Sequence, residues 1–447
     1  MTAATATAGS WSGAMPPTLL LPGPRFLPAR RATSAAASSL PQRPLRCAVL
    51  GAGFAGLSVV YHLLKESPAG SHLSVDIYDK GGVGAGASGI SGGLVHPYSP
   101  KVKPLWLGEE CWEECLKLLG VAQTAIDARK SGASGSVWYT NCRERIIRRR
   151  GIIRPAVDVK NLDILSNNAS NCLPSCVVER VDRDAAQNLL PNLVVPYGSA
   201  FYMPDALSIW PLQYLQAILL ACKDLVEENR ASSIGAMDLN LNRKSVDCLH
   251  DIEGEYDAVI ICLGAESDLL PELSGKLPLR TCRGVIAHMQ LPTNTRECYP
   301  DQSPSILSDA WLAVQGPKDL CMGSTWEWRS RNYSAEVSEE ESSRALQELL
   351  PKASVIYPKI KDWTFEGARA GVRAMPPNTT LGSLPLLGCI DDLVQGKPSC
   401  RYWLFAGLGA RGLLFHAFLG KLMAQAVRLG CENVLPPELT SWKRKQR

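Results

Sequence analysis

Apolar residues run unbroken from Cys47 to Leu50, give way to Gly51-Ala52-Gly53, and recur at Leu57, Val60, Tyr61 and Leu64. The unbroken run predicts a buried strand, and the three- and four-residue spacing predicts a helix to about Lys65. In LSVDIYD, Leu73 to Asp79, apolar and polar positions alternate, which predicts a second strand ending in an acid. Together these make a strand-helix-strand unit, the usual opening of a parallel sheet. The next stretch, GGVGAGASGISGGLVHPY (Gly81 to Tyr98), has no period and is read as a glycine-rich loop.

Helical spacing returns around Leu107–Leu119, and a loop-rich region is expected from about Arg129 to Val195. Pro204 to Glu228 reads as a short strand and a long helix, with Pro211 near the helix start. Ser245 to Gly264 predicts a hairpin feeding a buried strand, AVIICL. GVIAHMQL and LCMGSTWEW are strand-like, and SEEESSRALQELL reads as a helix with Ser338 as N-cap and Glu341 at its third position. The chain closes with strand FEGARAGVRAM, a proline-rich loop, strand YWLFAGLG and a helix over Leu413 to Val427. That helix is interrupted by His416, Lys421 and Gln425, and no apolar run reaches the ~18 residues of a membrane span.

The 447 residues, 46% hydrophobic and 20% charged, suit two or three globular domains. Residues 1–46 differ: they carry Arg25, Arg30, Arg31, Arg43 and Arg46 without an acid or a lysine, among Ala, Ser, Thr and Pro. This is transit-peptide composition, expected to be disordered and to address a plastid, the stroma, in preference to a mitochondrion. Without that segment the 47 basic residues become 42 against 43 acidic ones, so the net charge of +4 becomes −1. Overall basicity therefore gives no argument for nucleic-acid binding. The 15 cysteines form no C-x-x-C and read as buried free thiols, and no metal site is expected.

The G-x-G-x-x-G of Gly51, Gly53 and Gly56 follows a strand, opens a helix and is followed by Asp79 at the end of the next strand, the full context of a dinucleotide turn. The glycine-rich loop after Asp79, the turn at Gly264 and the closing AGLGARG add further glycine sites over the length of the chain. Such spacing suggests one large ligand threaded by the whole chain, and FAD fits. The expected cofactor contacts are Gly51, Gly53, Phe54, Ala55 and Gly56 at the first turn, and Asp79 and Lys80 after the second strand. Ser88, Gly89, Gly92 and Gly93 follow in the loop, then Gly264, and finally Gly407, Gly409, Arg411, Gly412 and Leu413.

GAGFAG, VDIYD, GASGISGGLVHP, DAVIICLGA, AGVRAMPP…LPLLG and GLGARGLLFHAFLGKLMA occur here in that order. In this the chain resembles the D-amino-acid oxidase-like FAD oxidoreductases, among them glycine and sarcosine oxidases. The closing motifs look most like the flavin half of the bacterial bifunctional enzyme that modifies the tRNA wobble uridine; the methyltransferase half is expected to be missing. The resemblance covers about residues 47–428 and is weak over 125–200. It implies an α/β fold: a Rossmann-like FAD-binding domain from 47–100, 204–275 and 365–447, and a second α+β substrate domain on a largely antiparallel sheet from 101–203 and 276–364.

In FEGARAGVRAM, Arg369, Gly371 and Arg373 share one strand face, with Gly371 leaving a slot between two guanidinium groups. Arginine is the bidentate partner of a carboxylate. The resemblance implies that Arg373 and Arg411 hold the substrate carboxylate and that the last helix points its positive end at the flavin. His96, directly after the glycine loop, is a candidate near the flavin or the amine. The expected reaction is oxidation of a small amine or amino acid to an imine by hydride transfer, followed by hydrolysis, with O2 or another acceptor restoring the flavin. The run CRERIIRRRGIIR (Cys142 to Arg154) carries six arginines and could touch an RNA backbone, which would suit a tRNA substrate. Without interleaved aromatics the favoured reading is a solvated strand or loop. A flavoprotein with only a binding or assembly role is the third alternative.

Overall fold

The computed structural model describes residues 44–68, 70–131, 146–232, 235–394 and 400–446. Residues 1–43 of the expected transit peptide lie outside them, and its last two residues, Leu45 and Arg46, are not a disordered leader because they are paired in the first strand. Leu45–Leu50 is indeed a strand, fully buried from Cys47, and it is central in a six-stranded sheet. The order is Leu386–Cys389, Arg401–Ala406, Ala258–Ile261, Leu45–Leu50, His72–Tyr78, Ala236–Asn242. All neighbours are parallel except Leu386–Cys389, which runs antiparallel to Arg401–Ala406. Parallel strands covered on both faces read as continuous apolar runs, which is why AVIICL and YWLFA stand out in the chain.

Four helices, Phe54–Lys65, Gly108–Ser131, Pro211–Ser232 and Gly412–Leu429, pack on one another beside this sheet. Phe54–Lys65 is buried on every side through Leu64, as its mostly apolar sequence requires. No helix of the described residues is long and apolar enough to cross a membrane.

The second sheet is mostly antiparallel and has nine strands. Thr364–Met375 pairs along its length with Arg280–Gln290, which also pairs with the short Glu327–Trp328, and the sheet continues through Asp319–Gly323, Trp311–Val314, Ser305–Ile306, Ile152–Pro155, Ser199–Met203 and Glu179–Asp182. Helix Glu339–Ile356 packs on it. Ser338 caps this helix through Glu341 N–H, 3.1 Å.

Three expectations need correction. FEGARAGVRAM was assigned to the cofactor segment beginning at 365, but it belongs to the second sheet, because its whole length is paired with Arg280–Gln290. Ser245 to Gly264 is not a hairpin: Leu249–Ile252 is a short 3-10 turn, and the strand beside His72–Tyr78 is Ala236–Asn242. The region after Arg129 holds two helices, Val159–Ala169 and Arg183–Leu189, capped by Asp158 and Asp182 through the N–H groups of Asn161 and Ala185.

Candidate active site

One cavity of about 710 Å³ runs from the first glycine turn to the second sheet. Its near end is built where Leu45–Leu50 stops. Gly51 N–H donates to Tyr78 O at 2.8 Å, and Ala52 N–H donates to one Asp79 oxygen at 2.8 Å. The other Asp79 oxygen accepts from Gly81 N–H, 3.0 Å. Burial pushes the Asp79 carboxyl up from its ordinary value while these N–H groups pull it down. The acid thus ties the first turn to the second strand and lines the cavity. Lys80 beside it is mostly exposed and is paired with Glu266 at 2.8 Å.

Gly53, Phe54 and Ala55 line the cavity at the start of helix Phe54–Lys65. Ser88 of the glycine loop accepts a hydrogen bond from Phe54 N–H, 3.1 Å, and joins the two glycine segments. Gly56 and Gly89 do not line the cavity. At Gly56 a Cβ would lie 1.9 Å from Gly51 O, so this glycine serves close strand–helix packing and not a cofactor contact. Gly92, Gly93, Gly264, Gly407, Gly409, Gly412 and Leu413 all contribute to the lining, the last two from the first turn of helix Gly412–Leu429.

The far end carries the chemistry. Arg373 Nη2 donates to Thr325 O at 2.9 Å, Nη1 to Ser324 Oγ at 3.3 Å, and the guanidinium lies 3.9 Å over the Trp326 ring. Burial lowers its pKa, against a smaller opposing pull from Cys282. Arg411 rises from a loop whose Gly409 N–H bonds Ala374 O in the Arg373 strand, 3.0 Å. Burial and the charge of Arg154 push the Arg411 guanidinium down to about 10. His96 is 3% exposed, and burial, then Arg411 and Arg154, hold its pKa well below the ordinary imidazole value, so the ring is neutral.

Arg369 is exposed and does not line the cavity, so Gly371, which does line it, is not flanked there by two guanidinium groups. A Cβ at Gly371 would meet Ala87 Cα at 2.8 Å, so this glycine lets the glycine loop dock on the second sheet. Arg154, Trp311 and Trp326 also line the cavity and were not singled out from the sequence. Arg154 was hidden within an arginine run; the signal was its place in the buried stretch Ile152-Ile153-Arg154-Pro155.

The residues fit FAD. A helix N-terminus whose Gly53 cap has no side chain offers N–H groups to a pyrophosphate, an acid ends the second strand, and three more glycine turns and the arginines line the same cavity.

The family described as FAD dependent oxidoreductase (DAO) matches residues 46–426. The Rhizobium etli protein named as thiamine biosynthesis oxidoreductase ThiO is 25% identical over 340 residues, 75% of this chain and 85% of that protein. The bifunctional tRNA 5-methylaminomethyl-2-thiouridine biosynthesis protein MnmC of Hydrogenovibrio crunogenus is 23% identical over 428 residues, and the match spans 89% of this chain but 57% of MnmC. The fold is shared with glycine oxidase from Geobacillus kaustophilus at TM-score 0.64 and 18% identity, covering 89% of this chain and 98% of that one. Iminodiacetate oxidase from Chelativorans sp. BNC1 superposes at TM-score 0.63 and 21% identity, covering 88% and 98%. A match that begins in the first strand of the parallel sheet and ends in the last long helix makes this chain a member of the DAO family of FAD-dependent oxidoreductases.

Proposed function

We propose that this FAD-dependent amine or amino-acid oxidoreductase takes a glycine-like or N-substituted glycine substrate and grips its carboxylate with Arg373, with Arg411 nearby. One observation carries this reading: the Arg373 guanidinium is braced by a hydroxyl, a carbonyl and an indole, and no carboxylate among the described residues pairs with it. A largely buried cation without a counter-charge is costly, and a substrate carboxylate supplies the missing anion in matching geometry.

FAD held by the glycine turns would supply a hydride acceptor for the carbon beside the nitrogen. The chain's own part is orientation. Fixing the carboxylate leaves little rotation at that carbon and presents its C–H bond to the ring. The nitrogen must bring a lone pair to form the C=N bond, so the amine reacts unprotonated. His96, held neutral, can bond that amine through Nδ1, which has no partner. The hydride carries two electrons away, the iminium loses a proton, and water then splits the imine to a carbonyl and an amine. O2 or another acceptor would be the final oxidant.

Anaerobic titration of the purified flavoprotein tests this. Glycine or sarcosine should bleach the flavin, and methylamine, which lacks the carboxylate, should not. A flavin that stays oxidised with every amine overturns the reading.

A second reading, a carboxymethylaminomethyl-uridine tRNA as substrate, is favoured by a different feature. Trp326 and Trp328, 48% and 46% exposed, stack at 5.9 Å, with Arg373 over the first ring and Arg280 over the second. Exposed aromatic faces of this kind stack nucleobases. The arginine run supports it less: Arg148 and Arg150 are engaged by the carbonyl of Asp301, and Arg143 and Arg145 lie outside the described residues. Bleaching by the modified tRNA alone, lost in Trp326→Ala, would decide for it.

A further inference from the structure

Arg154 has no part in the reaction just described, yet it is 7% exposed and lines the same cavity. It stands on strand Ile152–Pro155, whose other residues are apolar and buried. Its Nε is buried without a hydrogen-bond partner, and so is Nδ1 of His96. Arg411 completes the group, acting electrostatically on both. The one acid that acts on Arg154 is Asp309, which is exposed and makes no ion pair with it among the described residues. Two arginines and a neutral histidine thus line the same cavity within reach of one another's charge, and the described residues supply no buried anion there. Buried like charges left together are stable only when something neutralises them.

The carboxylate on Arg373 cannot be that anion. The Arg373 and Arg154 strands stand five strand spacings apart in the sheet, on the order of 24 Å between backbones at about 4.8 Å each. Arg411 links the two ends, because its loop is bonded to the Arg373 strand while its charge acts on Arg154.

We propose that Arg154, bordered by His96 and Arg411, is a second anion subsite, and that the substrate is an amine with two acidic groups, one on Arg373 and one on Arg154. An N-substituted glycine whose substituent ends in a carboxylate has that chemistry. The inference rests on the amino-acid reading above and adds the second acid to it.

Unreactive acids test it on the flavin-loaded enzyme, without turnover. Glutarate and butyrate share a short apolar chain and differ by one carboxylate, and their binding is read from the perturbed flavin spectrum. Glutarate should bind about tenfold tighter or more, the effect of one charge-assisted hydrogen bond. Arg154→Gln should erase that preference and leave butyrate binding unchanged, and Arg154→Lys should restore part of it. Equal binding of the two acids by the parent enzyme overturns the proposal, as does an equal loss for both in Arg154→Gln. Loss of flavin from Arg154→Gln also overturns it, because the residue then serves the cofactor. If Arg154→Gln does not fold, the parent's preference and Arg154→Lys decide the matter: a preference unchanged in Arg154→Lys counts against a bidentate subsite. Binding of neither acid removes the Arg373 grip as well and so fails the reading beneath it, whereas binding of butyrate without preference fails only this one.

Discussion

Arg283 and Arg154 stand on strands of the same sheet, 1% and 7% exposed, and their surroundings are opposite. Arg283 is filled by its own chain: Glu341 takes two bonds, at 2.8 and 3.1 Å, and the carbonyls of Asn332, Ser334 and Glu336 take the rest. Glu341 was expected to reach back to the helix cap, and it has turned to this arginine instead. At Arg154 the chain offers nothing to Nε. Histidines divide the same way. His416 donates Nδ1–H to the carbonyls of Gly412 and Leu413 and accepts the Tyr214 hydroxyl at Nε2, 2.6 Å, while His96, in the cavity lining, leaves Nδ1 unpartnered. A buried polar group satisfied by its own chain holds the fold together; one left open toward a cavity marks where a ligand belongs.

The largest effect is expected on the satisfied side. Arg283→Met strands the Glu341 carboxylate and three carbonyls and should cost about 3–5 kcal/mol, seen as a steep drop in thermal midpoint. The double variant with Glu341→Leu should recover much of it. A single variant as stable as its parent would erase the distinction between the two arginines.

His416 gives the next effect. Burial lowers its pKa to about 4 from 6.5, with the carbonyl bonds opposing the shift. The unfolded chain therefore takes up a proton at higher pH than the folded one. The stability from the neutral ring is complete above about pH 6.5 and is lost as pH falls toward about 4, on the order of 3 kcal/mol in all. Denaturant melts at neutral pH and near pH 4 should show it, and His416→Gln, which can still accept the Tyr214 hydroxyl, should flatten the dependence.

On the open side, Arg373→Lys keeps the charge and loses the fork. Its kcat/KM for a carboxylate-bearing amine should fall about tenfold or more, chiefly through KM, with the thermal midpoint little changed. The smallest effect belongs to the surface. Arg401 pairs with Asp391 at 2.9 Å but is 51% exposed, so Arg401→Ala should cost less than about 1 kcal/mol and leave turnover untouched.

The parallel sheet was legible because its strands are buried on both faces and write themselves as apolar runs. Its edge was not: in Ala236–Asn242 only Met237 is fully buried, so the alternation of Met237, Leu239 and Leu241 is faint in a polar setting. Arg183–Leu189 is two turns long and buries only Ala186, which leaves almost no apolar stripe to detect, and Val159–Ala169 buries only Leu165 fully, its further apolar positions standing among asparagines and serines that read as loop. At the site, Arg373 could be picked out by its place in a glycine-spaced strand. Arg154 could not be told from its neighbours in the arginine run, since what sets it apart is burial, and burial comes from strands far along the chain. Gly371 was assigned to a substrate slot because periodicity gives the face of a residue but not what packs against that face.

The order of strands in the parallel sheet has a consequence for how this enzyme is made. Arg401–Ala406, one of the last strands in the chain, docks beside Ala258–Ile261, and the loop that follows it carries Gly407, Gly409 and Arg411 into the cavity wall. Such long-range pairing is slow to form. A nascent chain still lacking this strand has the first glycine turn but no enclosed chamber. Loading of the flavin should therefore be a finishing step, and chains halted before residue 400 should leave the ribosome colourless.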